Sequence, residues 1–321
     1  MLAVYAKTID REDPLAGLEV GERPEPEPPE GWASVEVRAA ALNHHDLWSL
    51  RGVGLAAERL PMILGCDAAG VDEDGNEVIV HAVLSSPGWR GDETLDPKRT
   101  LLSELHQGTL AQRVIVPRAN LIAKPQQLSF AQAACLPTAW LTAYRMLFTR
   151  GQVTPGQTVL VQGSSGGVAT ALISLAASAG VRVWATGRSE GKRALATALG
   201  AEQVFEPGAR LPERVDAVME TSGAATWSHS LRSLKPGGRL VIAGATSGDA
   251  PSAELTRVFF LQLAVLGSTM GTREELERLV QMVIQQRIEP PVGLTLPLSE
   301  ARAGFAAMAR GETAGKIVFE V

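Results

Sequence analysis

The sequence predicts an α/β protein in which a β-rich region precedes a doubly wound parallel sheet. Three observations carry this. From about residue 127 short apolar runs alternate with helical stretches. One run leads through a glycine-rich turn into an alanine-rich helix. Residues 1–125 instead show two-residue alternation and irregular loops. Strands that alternate with helices imply parallel strands with helices on both faces.

In the first region, the acidic, proline-rich stretch Glu22–Glu30 is extended, because proline and repelling carboxylates both oppose helix. Val35, Val37 and Ala39 then alternate with Ser34, Glu36 and Arg38, a strand with one buried face. Glu77–Val83 and Arg113–Val116 are further strands, and polar Ser85–Thr100 is an exposed loop.

In the second region, Thr158–Gln162 is a strand, Gly163–Gly167 a turn, Val168–Ala179 a helix and Val181–Thr186 the next strand. Glu190–Leu199 is a helix closed by Gly200, and Val215–Met219, Leu240–Ala243 and Leu263–Leu266 are later strands. Thr272–Arg287 places Leu276, Leu279, Val280, Val283 and Ile284 on one helical face. After Pro290–Pro291 short mixed elements end in the strand Lys316–Val321.

Composition narrows the function. Of 321 residues 45% are hydrophobic and 20% charged, so a core forms. Thirty basic against 35 acidic residues leave no surplus to neutralise nucleic acid or an anionic membrane. No apolar run approaches the ~20 residues that cross a bilayer, and the first ten residues lack the basic and apolar regions of a secretory signal. Cys66 and Cys135 are too few for a disulfide framework or a four-cysteine zinc site. The expectation is a cytoplasmic protein with a small-molecule substrate.

The strongest chemical signal is the strand–turn–helix at Gly163, Ser164, Ser165, Gly166, Gly167 and Val168. Glycines let backbone approach a pyrophosphate, and a helix N-terminus supplies unpaired N–H groups. The second strand ends at Gly187, Arg188 and Ser189, with Lys192 close behind, and no acid stands there to take a ribose 2′-hydroxyl. Arginine in that place suits a 2′-phosphate, so the expected cofactor is NADP(H). Later strand ends, at Ser222, Gly244 and Ser268, should border the same ligand.

The blocks Ala40–Asp46 (AALNHHD), Leu60–Gly70 (LPMILGCDAAG), Gly108–Gln112, Thr138–Tyr144, the glycine turn and Gly315–Val318 occur in the order of the medium-chain dehydrogenase/reductase superfamily, which the chain resembles. The resemblance implies a GroES-like catalytic domain from residues 1–126 and 288–321. It also implies a Rossmann domain from 127–287, with an active-site cleft between the two. Asn43, Cys66 and Thr138 stand where zinc-dependent members place metal ligands, and Ser85–Leu105 lacks the four cysteines of their structural zinc lobe. An amide, a thiol and a hydroxyl make a poor zinc shell, so no metal is expected. The metal-free quinone oxidoreductase branch carries asparagine at the Asn43 position. By that likeness Asn43 lies beside the nicotinamide, Thr142 contacts its carboxamide and Lys316 lies near the cleft.

The expected activity is NADPH-dependent hydride transfer to a quinone or to an activated enone or carbonyl, without metal. Two alternatives stand: a zinc-type alcohol dehydrogenase with a non-standard ligand shell, and a non-enzymatic NADPH-binding structural or regulatory protein. His45 is the candidate proton donor, at the relay-hydroxyl position of zinc members; the bland reading is a helix cap or a pair with Asp46. Asp46 is a catalytic candidate beside Asn43, though it also suits fixing loops through backbone N–H groups, as does Asp67. His44 reads as structural, Cys66 as a buried thiol, and Trp140 as either packing or a pocket wall. The apolar run Phe259–Ser268 is the expected edge strand through which a homodimer forms.

Overall fold

The ten-residue strand Trp32–Ala41 organises the first half of the chain. Its inward residues Val35, Val37 and Ala39 are fully buried while Glu36 and Arg38 face solvent, as the alternation requires. In the computed structural model, which describes residues 1–321, this strand pairs antiparallel with Asp67–Asp72, Arg113–Pro117 and Lys316–Glu320. It is the centre of a seven-stranded sheet in which six strands run Leu121–Ala123, Glu77–Val80, Asp67–Asp72, Trp32–Ala41, Lys316–Glu320, Val292–Pro297, and the seventh, Arg113–Pro117, pairs with Trp32–Ala41 off that path. A three-stranded sheet of Leu18–Glu22, Leu2–Ala6 and Met62–Ile63 joins the same core, which Leu42, Leu50, Leu64, Phe305 and Phe319 fill. Phe305 and Phe319 stack with centroids 6.5 Å apart.

The second half forms a six-stranded sheet, entirely parallel: Gln203–Phe205, Arg182–Thr186, Thr158–Val161, Val215–Glu220, Leu234–Ile242, Ala264–Gly267. Numbered along the chain the order is 3-2-1-4-5-6, the doubly wound order whose strand C-termini carry ligands. All four residues of Thr158–Val161 are buried, as a strand covered on both faces must be. The alanine-rich helix Gly167–Ser178 buries eight consecutive residues, Ala169–Ala176, against it; small side chains allow that close approach.

Two compact units result. The first comprises Met1–Ala139, Gly271–Ile284 and Glu289–Val321; the second comprises Trp140–Met270 and Gln285–Ile288. The boundary expected at residue 126 therefore falls inside the first unit, and so does most of the helix Arg273–Gln285.

Three sequence expectations change. Glu77–Val83 is a strand only to Val80, and Val83–Leu84 pairs separately with Thr100–Leu101. Ser85–Thr100 is mostly loop, but it buries Thr94 and Asp96, and Glu93 accepts the backbone N–H of Arg273. The run Phe259–Ser268 is not one strand. Leu255–Phe260 is a helix, Gln262 takes a left-handed turn at φ 51°, and only Ala264–Gly267 forms the sheet edge. Apolarity alone does not tell a helix turn from a strand, and here the helix leaves Leu255, Phe259 and Phe260 exposed. No helix is long and apolar enough to cross a membrane.

Candidate functional site

The glycine turn lies at the C-terminal end of Thr158–Val161, beside the ends of Arg182–Thr186 and Val215–Glu220. Gly163 has φ 101°, open only to glycine without strain, and a Cβ there or on Gly166 would meet nothing within 4 Å. The turn is thus open rather than packed. Gly166 is the N-cap of Gly167–Ser178, no side chain caps that helix, and no acid sits in its first turn. Its unpaired N–H groups and positive end suit an anion. Ser164 Oγ is buried without a partner, an orphan next to this opening, and Ser268 Oγ is another at the far strand end. Such atoms need a donor or acceptor that the chain itself does not provide.

Structure separates the other residues expected at this ligand. Arg188 is exposed at the end of the second strand and makes no ion pair or hydrogen bond. Ser189 instead caps the helix Glu190–Ala198, its Oγ accepting from Lys192 N at 3.4 Å. Gly187 is required by packing, because a Cβ there would lie 2.7 Å from Ser164 Oγ. The Gly187 carbonyl is held by Arg193 at 2.8 Å. Gly244 packs against Thr221 O, and Ser222 Oγ bonds Ser247. Thr142 is buried, and Trp140, fully buried, is packing.

Sequence reasoning missed Glu220. This fully buried carboxylate ends the fourth strand and accepts from Ser222 N (2.7 Å), Gly223 N (3.0 Å), Thr226 Oγ1 (2.8 Å) and Ser230 Oγ (2.7 Å). It moulds the Thr221–Gly223 turn.

In the first unit, the helix His44–Leu50 opens with a capping box. Asp46 accepts Asn43 N at 2.9 Å and, through its other oxygen, Gly65 N at 2.9 Å. Asp46 is fully buried and spends its carboxylate on backbone, which is a positioning role. Asn43, Asp67 and Lys316 form a buried cluster. Lys316 Nζ donates to Asn43 Oδ1 (2.6 Å), Leu42 O (2.8 Å) and Asp67 Oδ2 (3.1 Å), and Asn43 Nδ2 donates to Asp67 Oδ2 (2.8 Å). All three ammonium hydrogens are consumed, so neither Lys316 nor the Asn43 amide offers a free donor to a nucleotide.

His45 stands apart from this cluster. Nε2 lies 3.1 Å from Glu104 Oε1, and Nδ1 faces Ser49 Oγ at 3.5 Å and Cys66 Sγ at 3.7 Å. Cys66 donates to Leu102 O at 3.2 Å, so its sulfur is the acceptor toward His45. Burial opposes charge on His45, but Cys66 and Glu104 outweigh it and hold the imidazole well above its ordinary value. Burial raises Cys66 itself, so toward His45 it acts as a hydrogen-bond acceptor rather than as a charge, and Glu104 is the counter-charge. Burial opposes the Glu104 carboxylate too, yet His45 draws it below the usual range. Burial pushes Cys135 up to about 12, an inert thiol. His44 is exposed by its surface area, yet the surrounding chain and the Lys316 ammonium hold its imidazole below the ordinary value.

Asn43, Cys66 and Thr138 do not fit a zinc ion. The Asn43 oxygen already faces an ammonium, Cys66 points at a carbonyl, and Thr138 Oγ1, though buried without a partner, is a neutral hydroxyl and a weak zinc ligand. No three His, Cys, Asp or Glu side chains converge as ligands.

Residues 29–126 match the alcohol dehydrogenase GroES-like domain, and residues 167–285 match the zinc-binding dehydrogenase domain. The chain is similar to an acryloyl-coenzyme A reductase of Metallosphaera sedula, 29% identical over 94% of this chain and 96% of that one. It is also similar to a crotonyl-CoA carboxylase/reductase of Cereibacter sphaeroides, 27% identical over 96% and 85%. A crystal structure described as an NAD-dependent alcohol dehydrogenase superposes with TM-score 0.93 and 34% identity, covering all of both chains. The chain belongs to the medium-chain dehydrogenase/reductase superfamily, the oxidoreductases built from these two domains.

Proposed function

We propose that the chain is an NADPH-dependent reductase of activated carbon–carbon double bonds that works without a metal. One observation carries the reading: an open glycine turn with an uncapped helix N-terminus and a buried orphan hydroxyl, with unpaired Arg188 at the neighbouring strand end. The turn's N–H groups hold the diphosphate, and Arg188 reads the 2′-phosphate as a charge-assisted fork. Nucleotide choice is a property of that strand end, so the reading is NADP(H), although one solved relative is described as NAD-dependent.

When bound, the reduced nicotinamide supplies a hydride. An activated double bond accepts it without a Lewis acid, whereas a simple ketone calls for one; the donor set at Asn43, Cys66 and Thr138 supplies none. Relatives named for acryloyl-CoA and crotonyl-CoA favour this class over quinones. His45, its imidazole raised by Cys66 and Glu104, supplies the proton that completes the reduction. The test is NADPH oxidation with an enoyl thioester, a quinone and a simple ketone, together with elemental analysis. Turnover of the enoyl thioester by metal-free protein supports the reading. Stoichiometric zinc with chelator-sensitive ketone turnover overturns it.

We infer also a homodimer through the edge strand Ala264–Gly267, which exposes Val265, while Phe259 and Phe260 of the preceding helix are exposed as well. Pairing two copies across a two-fold axis covers this edge. Light scattering at the 34.0 kDa of one chain refutes it.

A further inference from the structure

Beneath the glycine turn runs a continuous buried chain of hydrogen bonds that joins three strand ends. Gly163 N donates to Thr186 Oγ1 (2.9 Å), and Thr186 Oγ1 donates to Gln162 Oε1 (3.1 Å). Gln162 Nε2 donates to Ser230 Oγ (3.0 Å) and faces His229 Nδ1 (2.8 Å), and Ser230 Oγ donates to Glu220 Oε2 (2.7 Å). Gln162, Thr186, Ser230 and Glu220 are all buried.

The chain has one direction. Ser230 has a single proton and commits it to the Glu220 carboxylate, so toward Gln162 it only accepts. That forces the Gln162 amide to present Nε2 to Ser230 and Oε1 to Thr186. The Thr186 proton therefore points at Gln162, which leaves its oxygen lone pair for Gly163 N. His229 fits the same order: Nε2 donates to Ala209 O at 2.9 Å, and Nδ1 accepts from Gln162. Reversing the amide would set two oxygens against each other at Ser230, so the carboxylate polarises the whole chain up to the turn.

We propose that Gln162 and Thr186 are positioning residues for the nucleotide's diphosphate. Through them Glu220 sets the left-handed conformation of Gly163 and so the aim of the N–H groups that follow it. Thr186 immediately precedes Gly187 and Arg188, so one hydroxyl ties the phosphate turn to the strand end that reads the ribose. The inference rests on the reading that this turn binds a nucleotide, and it predicts an effect blind to the 2′-phosphate.

The test compares Thr186→Val, Thr186→Ser and Ser230→Ala with wild type, titrating NADPH and NADH by fluorescence and melting each apo protein. Thr186→Val keeps the shape and loses the hydroxyl. Expected is a loss of about tenfold in affinity for both nucleotides alike, the scale of one buried hydrogen bond, with Thr186→Ser binding as wild type does. Ser230→Ala shows the same non-selective loss, smaller, and decides the matter should Thr186→Val not fold. Unchanged affinity in these variants alongside a lowered melting temperature makes the chain merely structural and overturns the proposal. Wild type binding neither nucleotide overturns the underlying reading instead, so the two failures are distinct.

Discussion

Two polar regions of this molecule are built on opposite principles. The Asn43–Asp67–Lys316 cluster in the first unit is nearly closed on itself; of its side-chain hydrogen-bonding atoms only Asp67 Oδ1 lacks a partner. The Gly163–Val168 turn in the second unit is open: the helix is uncapped, Ser164 has no partner, and Arg188 is unpaired. Buried polar groups are normally satisfied, so the closed cluster reads as architecture and the open turn as a place for a ligand. Chemistry-bearing residue types do not mark a site by themselves; unspent hydrogen-bonding capacity that coincides with open backbone and an uncapped helix N-terminus does.

The sharpest way to break this contrast is Lys316→Met. It strands the Asp67 carboxylate, fully buried, and should cost about 3–5 kcal/mol by urea denaturation, the scale for losing one partner of a buried pair. Adding Asp67→Asn should restore part of it. A cost near zero would show that the cluster is not architecture. At the open turn, Arg188→Ala should weaken NADPH about tenfold to a hundredfold and leave NADH unchanged, because a charge-assisted contact to the 2′-phosphate is lost. Equal losses for both would remove Arg188 from nucleotide choice.

The smallest effect concerns His45 and Glu104, which sit between the two extremes. The raised imidazole contributes stability present below its unfolded value and lost as pH rises through its folded one. The lowered Glu104 contributes stability present above its unfolded value and lost as pH falls through its folded one. The pair is therefore intact in mildly acidic to neutral solution. Glu104→Gln should cost about 1–2 kcal/mol at pH 6 and progressively less as pH rises through the raised folded value of the imidazole. A cost that is flat across that range would deny the ion pair.

Much of the fold was legible because its signals are local. The parallel strands announce themselves as short apolar runs, the turn as glycines between a strand and a helix, and Arg188 as a base where an acid would signal NAD. What was illegible depends on distance along the chain. Glu104 lies 59 residues from His45, and Ser230 lies 68 from Gln162, so no spacing rule finds either pair. Resemblance alone puts Lys316 near the cleft; only the folded chain shows its hydrogens spent on Leu42, Asn43 and Asp67. Phe259–Ser268 was read as one strand because apolarity carries no period there, and the break falls at Gln262, whose left-handed backbone no pattern forecast.

The position of Lys316–Glu320 within its sheet bears on synthesis. This strand is interior, hydrogen-bonded to Trp32–Ala41 on one side and Val292–Pro297 on the other. The first unit thus waits for residues made some 275 positions after its organising strand. The second is almost wholly contiguous, from Trp140 to Met270, and has all six of its strands once Gly267 emerges. On the ribosome the nucleotide-binding sheet can close while the last stretch of the organising strand, Ala39–Ala41, still lacks its partner; Arg113–Pro117 already covers Trp32–Glu36, so only this short apolar end is left as an open edge during that interval.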